Sequence, residues 1–172
     1  METNTSRSHV STIVLILISL ILAIGWFLTW RNCANAATPV QCDARNLSLH
    51  MGTSDGTAGT IYDHAVITNN GAKKCQLTGY PAAFLLDTHN TVLGSGAASN
   101  PLYTPVTVTL APHGTAHTIL GLPDAGNFDP GVCSAVSTTL RLYIPGSVTS
   151  LHTSFASANC PGFSVTAIQP GV

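Results

Sequence analysis

Charge is scarce in this sequence: Asp, Glu, Lys and Arg together make up 8% of 172 residues, against about 25% in an ordinary soluble domain. The only glutamate is Glu2, and the only lysines are the adjacent pair Lys73-Lys74. A formal net charge of -1 with no basic stripe offers little to a nucleic-acid backbone, so no nucleic-acid partner is expected. The aspartates Asp55, Asp63, Asp87, Asp124 and Asp129 are scattered, which leaves little for paired acid and base work. Other absences narrow the chemistry further. There is no G-x-S-x-G elbow, Gly94-Ser95-Gly96 being too short, and no Ser-x-x-Lys, because no serine stands three positions before Lys73 or Lys74. There is no C-x-x-C, and beyond Trp30 no stretch sustains a helical period of apolar residues.

What is present begins with residues 10–30, an uncharged run rich in Ile, Leu and Val. As a helix it spans about 31 Å, the thickness of a bilayer core, so a single transmembrane helix is expected there. Trp26 and Trp30 stand at its outer end, where indole rings favour the headgroups, and Arg31 closes it. Residues 1–9 then form a short cytoplasmic terminus, 31–41 a linker and 42–172 an extracytoplasmic domain. A second reading stays open. Ala34-Asn35-Ala36 has the A-x-A form cut by signal peptidase, and cleavage after Ala36 makes the protein secreted; the length of the apolar run and Arg31 before the site speak for a retained anchor.

Five cysteines support export. Cys33 lies beside the apolar run, while Cys42, Cys75, Cys133 and Cys160 give the outer domain an even number. Four cysteines allow three connectivities; Cys42 with Cys75 and Cys133 with Cys160 ties neighbouring stretches and is the pairing expected. Cys33 is lost with the signal or idle at the membrane, or it forms an intermolecular disulfide. It follows Arg31-Asn32 and so lacks the small residues of a lipid-attachment site.

The outer domain reads as short strands between turns. Strands are expected at 46–50, 60–68, 75–78, 82–87, 106–110, 115–120, 140–144, 150–154 and 163–168 from alternation and β-branched content. The Gly, Ser, Thr and Asp stretch 51–59 reads as a loop, more a backbone-permissive turn than a phosphate cradle, since no Gly-Lys-Ser/Thr follows it. Asn69-Asn70-Gly71 reads as a tight hairpin turn, returning 75–78 against 60–68. Residues 122–133 read as a loop.

These residues carry a family likeness. Cys42, Gly56-Thr57-Ala58-Gly59, Tyr62, Thr68-Asn69-x-Gly71 and Cys75-x-Leu77-x-Gly79-Tyr80-Pro81 resemble, in order, a bacterial exported family known as domain of unknown function forty-two thirty-two. Leu110-Ala111-Pro112-x-Gly114-x-Ala116, Ala125-Gly126-Asn127-Phe128-Asp129-Pro130 before Cys133, and Leu140-x-x-Tyr143-x-Pro145-Gly146 extend it over nearly all of 42–172. The resemblance implies an all-β, immunoglobulin-like antiparallel sandwich of about seven to nine strands on lipoproteins and membrane-anchored proteins of the cell envelope, with two disulfides like those above. It implies no activity and no cofactor. This chain departs from the lipoprotein members in lacking their attachment sequence.

Two functions of different class follow. The first is a non-catalytic envelope module, neither enzyme nor metal protein, that binds an envelope protein or glycan through loops at one end, or spaces its neighbours. The alternative is a hydrolase or metal-binding protein assembled from loop residues such as Asp55, His89, Asp129 and Arg141. Seven histidines invite the metal reading, yet His113 and His117 are about 13 Å apart in extended chain, too far for one ion. His50, His64, His89 and His152 fall on separate strands or turns.

Overall fold

A computed structural model describes residues 40–171. The expected membrane helix at 10–30, the Ala36 cleavage point, Cys33 and most of the linker lie outside them. No helix among the described residues is long and apolar enough to cross a membrane.

The domain is all-β with mixed sheets. Its strands are β1 (Leu47–Thr57), β2 (Thr60–Asn69), β3 (Cys75–Thr78), β4 (Ala82–Leu86), β5 (Ala98–Asn100), β6 (Thr107–Leu110), β7 (Thr115–Pro123), β8 (Thr139–Tyr143), β9 (Ser150–Ser154), β10 (Ser164–Thr166) and β11 (Gln169–Pro170). Helical structure among the described residues is limited to two 3-10 turns, at Ala44–Asn46 and Ala125–Asn127. The main sheet runs β1-β2-β7-β10-β5, with β11 also paired to β7; β3-β6 and β4-β8-β9 form two smaller sheets, and none closes into a barrel.

Alternation explains the layering. Leu47 and Leu49 on β1, Ala65 and Ile67 on β2, and Ala116, Leu120 and Leu122 on β7 turn one face of the main sheet inward. They meet Leu77, Val108 and Leu110 from β3 and β6, and Leu85, Leu140, Leu142 and Leu151 from β4, β8 and β9, in one shared core. Each such side chain contributes about 1.5–3 kcal/mol on burial, and so few charges leave the packing to do most of the stabilising.

Four expectations need correction. Strands among the described residues number eleven, not seven to nine, because brief pairings such as Ala98–Asn100 and Gln169–Pro170 arise in segments with no apolar alternation to announce them. The sheets are not wholly antiparallel: β5 runs parallel to β10. The stretch 51–59 is no loop. β1 continues to Thr57, opposite Thr60, with one register shift between Met51 and Ser54. Ladder hydrogen bonds come from the backbone, so Gly, Ser and Thr join them readily; the turn itself needs only Ala58 (φ 49) and Gly59 (φ 78), two positive φ values in a two-residue hairpin.

The last correction concerns Asn69-Asn70-Gly71. None of the three has positive φ, and β3 pairs not with β2 but with β6, Cys75 opposite Leu110 and Thr78 opposite Thr107. The segment is a crossover from the main sheet to a smaller one. The partner that hairpins with β2 is β1, before it in the chain.

Candidate functional site

The chain comes in along β3. Gln76 N–H donates to Val40 O and Cys42 N–H donates to Gln76 O, each at 2.9 Å, so residues 40–42 lie as a short parallel partner of β3. The Cys42–Cys75 disulfide sits across this pairing, with Cα atoms 4.8 Å apart. The other bridge, Cys133–Cys160, has its Cα atoms 4.3 Å apart and ties the 124–133 segment to the stretch before β10. Beside it Asn159, 6% exposed, donates from its amide to Ser95 O at 2.7 Å and to Leu93 O, which fastens a third segment.

Beside Cys75 the crossover is organised by Asn69, whose side chain is buried to 1% exposure. Its Nδ2 donates to Lys73 O at 2.9 Å and lies 3.2 Å from both Leu110 O and Ala111 O. Its Oδ1 accepts from Gly71 N–H at 2.9 Å. Its backbone is held as well, donating to Gly114 O and accepting from His113 N–H, the latter in a turn where His113 has φ 62. One amide therefore joins β2, the crossover and the β6–β7 turn. Around it opens a cleft of about 430 Å³ whose lining includes Val40, Asp43, Asn69, Lys73, Lys74 and Cys75.

Charge is segregated between the two ends of the main sheet. At the crossover end Lys73 and Lys74 are exposed and, among the described residues, form no ion pair. The nearby Arg45 is already taken by Asp43: Nε and Nη2 reach the carboxylate at 2.6–3.1 Å. That guanidinium is the main reason the Asp43 carboxyl is held below its ordinary range, and the carboxylate in turn raises Arg45. The other end of β2, ten residues and about 30 Å away, carries the β1–β2 hairpin. There Asp55 pairs with Tyr62, Asp63 with Ser54, and Asp124 N–H donates to Gly59 O at 2.9 Å, which puts three aspartates at this end of the sheet, Asp55 and Asp63 on opposite faces of it. Asn127 also donates to Gly59 O, at 3.1 Å. An open recess of about 270 Å³ lies here, lined by residues 56–61 and Asp124.

The loop residues considered for catalysis are dispersed. Asp55 stands in the main sheet opposite Tyr62, Arg141 stands in a different sheet opposite Phe84 and His152, and Asp129 follows the second 3-10 turn. His89 belongs to the turn after β4, where Asp87 accepts from His89 N–H and Thr91 N–H at 2.8 Å each. Those bonds, that from Thr91 first, keep the Asp87 carboxyl below its usual range. Two histidines do meet. His64 on β2 and His117 on β7 stack, centroids 5.2 Å apart and planes 23° from parallel, while His50 on β1 stands one strand away opposite Val66. His117 Nδ1 bonds to Gly171 O, and the buried Nδ1 of His64 has no partner among the described residues. Stacked rings shield the apolar Val66 and Ile119 beside them rather than converge on an ion, and no group of three metal-ligating side chains occurs among the described residues. The sequence concealed this contact because 64 and 117 are joined only by the β2–β7 register.

With this geometry in place, the comparisons add one decisive finding. The profile of the family described as Domain of unknown function (DUF4232) matches residues 42–169. The chain belongs to this family. The match begins at the first bridging cysteine and ends in β11, so the DUF4232 unit coincides with the folded domain. No curated protein and no solved structure matches the chain.

Proposed function

We propose that this DUF4232 domain is an extracytoplasmic module of the bacterial envelope, non-catalytic, held to the membrane by residues 10–30 or secreted after cleavage at Ala36, and that it presents the β1–β2 hairpin end to an envelope protein or glycan. The observation that carries the reading is the pair of disulfides, Cys42–Cys75 and Cys133–Cys160, inside one small domain. Such bridges persist in oxidising compartments and are rare where thiols are kept reduced. The 21-residue uncharged run before the domain supports the anchored form. Sheets sharing one core, with loops gathered at their ends, support the finer description of an immunoglobulin-like sandwich.

The hairpin end suits recognition. Its backbone is fixed by Asp124 and Asn127 against Gly59 O, so an approaching partner orders little chain. Its carboxylates favour a cationic or hydroxyl-rich surface. A photo-crosslinker placed at Thr57 in intact cells is expected to capture a defined envelope protein or glycan. Capture of nothing above the level seen from an exposed position far from the hairpin, such as Val148, counts against the binding role.

A further inference from the structure

The end of the domain opposite the hairpin has a second task. We infer that Lys73 and Lys74 form a docking surface for anionic phospholipid headgroups, which stands the domain on the bilayer with its carboxylates pointing away. This rests on the anchored reading above.

Three observations converge on it. First, the lysines are the only two in the chain, adjacent and exposed, and no carboxylate among the described residues forms an ion pair with them; Asp43, which lines the same cleft, is paired with Arg45. Second, they line the same cleft as Val40, the first described residue, so the chain from the expected anchor arrives beside them. Residues 31–39 are nine in number, and chain length alone limits the separation of the expected anchor from Val40 to about 30 Å. Third, the sheet is polar along its length, with Asp55, Asp63 and Asp124 at the far end, beyond the screening length of about 8–10 Å. A negative surface therefore attracts the lysine end and repels the hairpin end. The crossover conformation that aims the lysines outward is fixed from within by Asn69, whose amide holds Lys73 O.

Each lysine near an anionic leaflet favours contact severalfold, and two together shift the docked-to-undocked ratio by about thirtyfold. The test is direct because an acylating reagent can modify only Lys73, Lys74 and the N-terminus as amines. Full-length protein is first floated with phosphatidylcholine vesicles after a high-salt wash. Failure to float removes the anchored reading, and the docking with it. Protein that floats is then placed in nanodiscs of phosphatidylcholine alone, or with phosphatidylglycerol added, and lysine acylation rates are compared by mass spectrometry. The inference expects rates slowed far more than the roughly threefold that lowered surface pH produces by itself, and restored by about 0.5 M salt. Flotation with acylation rates equal within threefold overturns the docking and leaves the anchor standing. Slowing by an added anionic wall polymer but not by phosphatidylglycerol overturns it too, in favour of the polymer.

Discussion

Exchanging the amide of Asn69 for a carboxylate changes one atom and reverses the hydrogen bonding of the crossover. In the native domain Nδ2 faces three carbonyl oxygens, those of Lys73 at 2.9 Å and of Leu110 and Ala111 at 3.2 Å, while Oδ1 receives Gly71 N–H. In Asn69→Asp the Gly71 bond survives, but a charged oxygen confronts the three carbonyls at a site 1% exposed. Losing the bond to Lys73 O costs about 1–3 kcal/mol, and the buried, unpaired carboxylate adds to it, for a total of about 4 kcal/mol at neutral pH. The sign of the pH dependence follows. Burial among acceptors raises the folded pKa of this Asp above its unfolded value of about 3.9, so the part of the deficit that comes from the charge is absent below that value. It grows by about 1.4 kcal/mol per pH unit as pH rises towards the folded pKa. Asn69→Leu instead orphans Lys73 O and Gly71 N, at a cost of about 2–4 kcal/mol with no added pH dependence. Denaturant midpoints of the oxidised proteins at about pH 4 and pH 7 check this. A deficit in Asn69→Asp that is the same at both pH values, or no deficit at pH 7, refutes the assignment of Asn69 as the organiser of the crossover.

Three further outcomes are expected. Cys75→Ser opens a bridge of sequence separation 33 and should lower stability by about 4 kcal/mol in the chain-entropy estimate, read as a denaturant midpoint shift against the oxidised parent. Gly59→Ala should lose about 1–3 kcal/mol, because a Cβ there would stand 2.6 Å from Asn127 Nδ2 at φ +78, and it should lose more than Gly131→Ala, which has positive φ but open space around it. Asp87→Asn keeps an acceptor for Thr91 N–H and His89 N–H but removes the charge. Since the native carboxyl is held below its usual range, its contribution is present at neutral pH and is lost as pH falls through that lowered value, so the stability gap between wild type and variant should close on acidification below about pH 4.

The sequence made the β class, the order of the long strands and the DUF4232 family legible because each has a local signal. Alternation at 47–49, 65–67 and 140–142 marks faces that must be buried, and the ordered Gly, Pro and Cys motifs mark the family. What was illegible depended on pairing at a distance. Asn69-Asn70-Gly71 has the composition of a hairpin turn, and its true role rests on carbonyls more than 40 residues away, at Leu110 and Ala111. The 51–59 stretch looked like a loop because its side chains are small and polar, yet its backbone finds β2 as a partner. The placing of Asp55, Asp63 and Asp124 at one end of the main sheet is likewise a product of register, since the three are not adjacent in sequence, whereas the Lys73-Lys74 pair was visible in the sequence and only its place at the other end was not.

The proposed place of this disulfide-stapled domain, outside the cytoplasmic membrane, is open to one experiment. Cells with an intact inner membrane, treated with an amine reagent that cannot cross it and a thiol-blocking reagent that can, and then mapped by mass spectrometry without reduction, test it most directly. The expected result is the amine label on Lys73 or Lys74, together with linked peptides joining Cys42 to Cys75 and Cys133 to Cys160. Unlabelled lysines with those four cysteines recovered as blocked free thiols would contradict it.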